Sequence, residues 1–128
     1  MSIFCGTDII EIHRIEKSFL TSGESFRDKL FTQREIAYCE SKKAVKYKSY
    51  AVRFAAKEAV SKAFGTGISE GIGWKDIEII NDERGCPNVV LWGNAKKLYE
   101  DRKGKSLSVS LSHCENYAVA YVVLETGN

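Results

Sequence analysis

The sequence has almost no proline: Pro87 is the single one in 128 residues, and no serine-rich or glycine-rich run stands in for it. Nothing in the composition therefore marks a linker at which the chain would divide. Long apolar runs are also missing. The longest, Tyr117 to Leu124, is far short of the roughly twenty residues that a membrane-spanning helix requires. The first residues lack a basic region and an extended apolar core, and an acid arrives early at Asp8, so the expectation is no secretory signal, no membrane and a cytoplasmic protein. Cysteine is sparse and scattered: Cys5, Cys39, Cys86 and Cys114 form no C-x-x-C pair, which argues against a zinc ribbon or disulfide scaffold and for reduced core thiols. Excess charge is small too. Nineteen Lys plus Arg against seventeen Asp plus Glu leave +2, too little for a surface that grips nucleic acid throughout.

What is present is the composition of a folded chain, 44% hydrophobic and 28% charged. A chain of this length buries roughly two-thirds of its unfolded surface, and residues 1–128 are expected to form a single domain. Ile3 to Ile10 reads as a buried strand, interrupted by Gly6 and Asp8. Ile12, Ile15 and Phe19 follow at helical spacing, with Gly23 as a stop, and Thr32-Gln33-Arg34-Glu35 has the form of a capping box opening a short helix through Cys39. From Lys46 an alanine-rich segment runs without a breaker to Phe64, where Gly65-Thr66-Gly67 ends it. Asp76 to Asn81 and Asn88 to Trp92 read as strands joined by a turn, and Asn94 as the cap of a short helix ending near Arg102. Leu107, Val109 and Leu111 then alternate with Ser106, Ser108, Ser110 and Ser112, and Tyr117 to Glu125 supplies the last strand. Helices concentrated in the first half and antiparallel strands in the second predict an α+β fold: an antiparallel sheet with one long buried helix.

The chemistry gathers in Arg53 to Ile68, RFAAKEAVSKAFGTGI. At 100° per residue Glu58 and Lys62 lie within about 40° of each other in a small-residue stripe of Ala51, Phe54, Ala55 and Ala59. On a solvated face such a pair is ordinary and contributes a few tenths of a kcal/mol. In an apolar stripe, ionised groups need a counter-ion, metal or ligand. Asp8 raises the same question: it either turns outward at a strand edge or points into a site. Two isolated carboxylates on separate elements are what Mg²⁺ takes from protein, the other positions going to water and substrate phosphate.

Charge is also unevenly spread. Between Glu40 and Glu58 stand six cations (Lys42, Lys43, Lys46, Lys48, Arg53, Lys57) and no anion. This is either a solvated helix face or a site for a polyanion, and its alternative reading is a non-catalytic phosphate- or RNA-binding module built on Lys42 to Lys57. Arg14, Lys17, Arg27 and Lys29, interleaved with Phe19 and Phe26, form a mixed basic and aromatic surface suited to an acidic partner. His113 ends a strand as a plausible phosphate donor, with no acid at a spacing that would suggest a serine-hydrolase triad.

Together these residues resemble the holo-acyl-carrier-protein synthases, the small bacterial type of 4'-phosphopantetheinyl transferase. The resemblance is carried by Gly6-Thr7-Asp8-Ile9-Ile10-Glu11-Ile12 with Arg14-Ile15, by Phe31-Thr32 with Glu35, and most specifically by Arg53 through Ile68. Trp74 through Ile79, Gly85-Cys86-Pro87 and Ser110 through His113 followed by Ala118-Val119-Ala120 extend it over nearly the whole chain. It implies the fold of that family and transfer of the phosphopantetheine arm of coenzyme A to a serine of apo acyl carrier protein, in fatty acid biosynthesis, with release of adenosine 3',5'-bisphosphate. It implies Asp8 and Glu58 as Mg²⁺ ligands and, with Lys62, as the catalytic set. Arg53, Lys62, Gly65, Gly85, Pro87 and His113 would bind coenzyme A, with Arg53 and His113 at the 3'-phosphate. Arg14, Lys17, Phe26, Arg27 and Phe54 would dock the carrier, and the protein would be a homotrimer with active sites between protomers. Two bases fit the serine proton, Glu58 itself or a metal-bound water. Thr7, where an aliphatic residue is usual, and Cys114-Glu115 after the histidine depart from the family pattern.

Overall fold

The computed structural model describes residues 1–69 and 71–128. Strand β1 (Ser2–Glu11) runs directly into helix α1 (Ile12–Leu30), followed by α2 (Gln33–Glu40) and α3 (Lys46–Phe64). A hairpin of β2 (Ile77–Asn81) and β3 (Pro87–Leu91) comes next, then α4 (Gly93–Asp101), β4 (Gly104–His113) and β5 (Tyr117–Thr126). The class is α+β, with three of these four helices in the first half of the chain.

Local chemistry accounts for most boundaries. The capping box forms as the sequence implies: Thr32 Oγ1 accepts from the Glu35 amide and Glu35 Oε1 accepts from the Thr32 amide. Helix α3 ends on Gly65, whose φ of 80° is the left-handed conformation that glycine adopts without a Cβ penalty. Two expectations fail locally. Gly23 does not stop α1; at φ 56° and ψ −135° it kinks the helix, which resumes to Leu30 while Phe19 and Phe26 meet edge to face across the break at 5.4 Å. Asn94 does not cap α4; the helix begins one residue earlier and the Asn94 amide donates to the Gly71 carbonyl at 2.8 Å.

The first and last strands pair. The main sheet has the order β1-β5-β4, antiparallel throughout, with Gly6 opposite Val122 and Asp8 opposite Ala120. Its inner face, Ala118, Ala120, Val122 and Leu124 of β5, is fully buried against the alanines of α3. Small side chains let the helix sit close, and Gly6 makes the approach closer still: a Cβ there would collide with the Ala59 carbonyl oxygen and lie 2.8 Å from the Ala63 nitrogen. Helix α3 is thus buried as expected, with the sheet on one side and α1, α2 and the β2–β3 hairpin around it.

The sheet has a helix layer on one face only, and this corrects the reading of Ile3 to Ile10 as a buried strand. Ile3 is 59% and Ile9 65% exposed, and Tyr117 and Tyr121 of β5 are exposed as well. On β4 the alternation holds, apolar positions turning inward and all four serines outward. The expectation of core thiols also fails for most of them: Cys39 is buried, whereas Cys5, Cys86 and Cys114 are exposed. Among the described residues, no helix is long and apolar enough to cross a membrane.

Candidate active site

Gly6 and Asp8 share the inner face of β1, so the close packing at Gly6 brings Asp8 against the next turns of α3. Asp8 turns inward against α3 rather than outward at a strand edge. Lys62 Nζ lies 3.1 Å from Asp8 Oδ1 and donates to the Thr7 carbonyl at 2.9 Å. Glu58, half-buried one turn earlier, completes an acidic edge. Burial first and the neighbouring Asp8 charge second raise its pKa above the usual carboxylate range, against the pull of Lys62. Two carboxylates crowd a single ammonium, a cluster short of positive charge. Among the described residues, no group of three or more His, Cys, Asp or Glu could form a metal cage. A cation at Asp8 and Glu58 would therefore draw its other ligands from water or substrate.

The fully buried charge is elsewhere on the helix. Glu58 and Lys62 lie at its open edge, with the Lys62 side chain 51% exposed, whereas Lys57 is completely buried. Its three protons go to Glu35 Oε1 at 2.8 Å and to the carbonyls of Trp74 and Ile77, while Glu35 Oε2 accepts from the Ile79 amide. Burial lowers the Lys57 pKa and Glu35 opposes that shift. Lys57 is a strut between α2, α3 and the hairpin, and with Arg53 buried as well, the six-cation stretch is no continuous surface for a polyanion. The RNA-binding alternative loses its footing here.

Arg53 opens into a different place. A cleft of about 420 Å³ is lined by Tyr38, Lys42, Lys48, Ser49, Arg53, Asn81, Gly85, Pro87 and His113, with Val45, Val52 and Leu111 as apolar walls. Four residues expected to bind substrate, Arg53, Gly85, Pro87 and His113, meet in it. The Arg53 guanidinium lies 4.2 Å over the Tyr38 ring, and Lys42 approaches the same ring at 4.7 Å. One η nitrogen of Arg53 donates to Ser49 and the other to Asn81, but Nε is buried without a hydrogen-bond partner. Such an orphan in a basic cleft calls for an acceptor.

Asp8, Glu58, Lys62 and Gly65 are not part of this cleft. Arg53 and Glu58 are five residues apart, so they leave α3 about 140° from each other. Along α1 a smaller groove of about 290 Å³ is lined by Ile10, Arg14, Ile15, Ser18, Phe26 and Phe54. It unites three expected docking residues and leaves out two: Lys17 lies outside it, and Arg27 is tied to Asp28 at 3.0 Å and Glu24 at 4.0 Å. Tyr38, Lys48, Ser49 and Asn81 were not singled out as ligand contacts in the sequence. Lys48 belongs to the cation run, but nothing local marks Tyr38, Ser49 or Asn81.

A sequence profile described as the 4'-phosphopantetheinyl transferase superfamily matches residues 4–122. The chain belongs to that superfamily. A relative from Ruminiclostridium cellulolyticum named holo-[acyl-carrier-protein] synthase is 54% identical over 128 residues, covering 100% of this chain and 96% of the relative. The Helicobacter pylori holo-[acyl-carrier-protein] synthase, solved in complex with coenzyme A, superposes with a TM-score of 0.83 at 33% identity, covering 94% of this chain and 99% of that one. The Bacillus anthracis holo-(acyl-carrier-protein) synthase, solved with CoA (3',5'-ADP), gives a TM-score of 0.80 at 37% identity over 97% and 96%. In this phosphopantetheinyl transferase most of the expected site residues thus fall into three groups, an acidic edge, a basic cleft and a mixed groove on α1, with Lys17 and Arg27 outside them.

Proposed function

We infer that the chain transfers the 4'-phosphopantetheine group of coenzyme A to a serine of apo acyl carrier protein, giving holo carrier and adenosine 3',5'-bisphosphate, as a single-domain enzyme of cytoplasmic fatty acid biosynthesis. The observation that carries this reading is the buried Arg53 with its unpartnered Nε in a cleft that also presents Lys42, Lys48 and His113. Such a cleft is of ligand size, and its cations suit a phosphorylated nucleotide. Family membership and two coenzyme A-bound neighbours support the same reading.

In this mechanism the carrier serine oxygen attacks the β-phosphorus, the bond from that phosphorus to the bridging oxygen breaks, and the nucleotide leaves. The chain contributes positioning and charge. Arg53 and His113 hold the 3'-phosphate, with Gly85 and Pro87 beside the nucleotide. Lys62, next to Asp8 on the acidic edge, faces the pyrophosphate, and Gly65, hydrogen-bonded to the Lys62 carbonyl, closes the helix end beside it. Two groups on the acidic edge fit the role of base for the serine proton, Glu58 itself or a water held beside it. Asp8 and Glu58 would hold Mg²⁺, for which two crowded carboxylates from separate elements are a fitting donor set; when bound, the ion neutralises pyrophosphate charge.

The carrier docks on α1, with Phe26 and Phe54 taking apolar side chains in the groove while Arg14, Lys17 and Arg27 attract its acidic surface. Cleft and acidic edge leave α3 on different sides, and the outer sheet face exposes Ile3, Ile9, Tyr117 and Tyr121. Both features support a homotrimer in which one protomer's cleft meets a neighbour's acidic edge. Incubation with apo carrier, coenzyme A and Mg²⁺, followed by mass spectrometry of the carrier, tests the activity: a gain of one phosphopantetheine is expected, and an unchanged mass refutes it. Light scattering on dilution tests the trimer, which a monomer mass would overturn.

A further inference from the structure

The Arg53 guanidinium is held by a neutral partner. Its Nη2 donates to Asn81 Oδ1, its Nη1 donates to Ser49 Oγ at 3.0 Å, and no carboxylate lies within ion-pair distance among the described residues. The other half of the Asn81 side chain is also used: Nδ2 donates to the Gly85 carbonyl at 2.9 Å. The amide orientation follows from its partners, because a guanidinium requires the oxygen and a carbonyl requires the nitrogen. Gly85 sits at φ 83° in a turn closed by Asp82, whose Oδ1 accepts from the Arg84 and Cys86 amides at 2.9 Å each. One uncharged side chain therefore joins the cation on α3 to the turn between β2 and β3, and both border the cleft.

We propose that Asn81 is a positioning residue for nucleotide selection: it aims Arg53 into the cleft, fixes the Gly85 turn beside it, and leaves the guanidinium charge free for the 3'-phosphate, so that coenzyme A is chosen over 3'-dephospho-coenzyme A. This rests on the nucleotide reading of the cleft given above. An aspartate of the same shape would pair with Arg53, cancel its charge and lose the Gly85 hydrogen bond. Alanine would keep the charge but release its aim. A purely structural Asn81 would affect both nucleotides alike.

The test measures kcat and KM of the full chain for coenzyme A and for 3'-dephospho-coenzyme A, with apo carrier and Mg²⁺, in wild type, Asn81→Asp and Asn81→Ala. Wild type is expected to prefer coenzyme A. Asn81→Asp should shrink that preference by about tenfold, through a higher KM for coenzyme A, and Asn81→Ala by about threefold. Thermal melts identify a variant that does not fold; the other variant then decides alone. A preference within about 1.5-fold of wild type in either folded variant, or a wild type that does not discriminate, overturns the role of Asn81. A wild type with no transfer at all refutes the function proposed above instead.

Discussion

Lys57 and Glu58 are consecutive residues of α3, yet they belong to opposite kinds of charge cluster. Lys57 is sealed, and every proton it carries meets an oxygen. Glu58 is half-open, faces another carboxylate, and among the described residues has only Lys62 to relieve it. The closed cluster explains itself within the fold. The open one leaves a carboxylate to spare beside a single ammonium, an arrangement that a bound cation would complete.

Removing one partner should break the closed cluster most severely. Lys57→Met or Glu35→Ala leaves an uncompensated buried charge or its disrupted partners and is expected to cost about 3 to 5 kcal/mol, read from the urea midpoint. The double variant Glu35→Leu with Lys57→Met should recover most of that loss. The open cluster should behave the other way. Asp8→Ala and Glu58→Ala are expected to lower transfer by about a hundredfold or more while the melting temperature stays within a few degrees of wild type. Near-normal turnover in either variant would remove these acids from the mechanism; a collapse in stability would make their cluster architectural after all.

Gly6→Ala tests the contact that joins β1 to α3. Its Cβ has no room against the Ala59 backbone, so about 1 to 3 kcal/mol of destabilisation is expected, with turnover per folded molecule reduced because Asp8 moves relative to Glu58. The smallest effect lies at Glu78, another closed carboxylate. Burial disfavours its charge, but hydrogen bonds from Arg34, Thr32 and Trp92 outweigh burial and lower its pKa in the folded state. Its ionised form therefore stabilises the fold above the unfolded glutamate value of about 4.3, and that contribution fades as pH falls through the lower folded value. Glu78→Gln should flatten the acid side of the stability profile in a pH-jump melt series, and an unchanged profile would remove Glu78 from the acid response.

Features set by neighbours in the chain were legible. The unbroken alanine-rich run with its glycine stop defines α3, the Thr32 to Glu35 box opens α2, and the serine alternation marks β4. Isolated acids at Asp8 and Glu58 were enough to suspect a site. Features set by remote packing were not legible. A helical wheel separates Lys57 from Glu58 by about 100° but does not say which side another element covers, so it does not tell the sealed charge from its half-open neighbour. The Lys57 to Glu35 pair spans 22 residues and the Arg53 to Asn81 pair 28, and no local pattern encodes either. The exposure of Ile3 and Ile9 depends on how many layers cover the sheet, which periodicity within one strand does not report. Glycine serves both as terminus and as kink, and the local sequence at Gly23 does not report the Phe19 to Phe26 contact that spans the two halves of α1.

The pairing of β1 with β5 also sets an order of events during synthesis. The strand bearing Asp8 is synthesised well before its sheet partner, Tyr117–Thr126; Thr7 and Ala120, which share a hydrogen bond, are 113 positions apart. A nascent chain can coil α3 early, but the strand that carries Asp8 has no sheet partner to hold it against that helix until the last strand has been made, so the finished site comes late in synthesis.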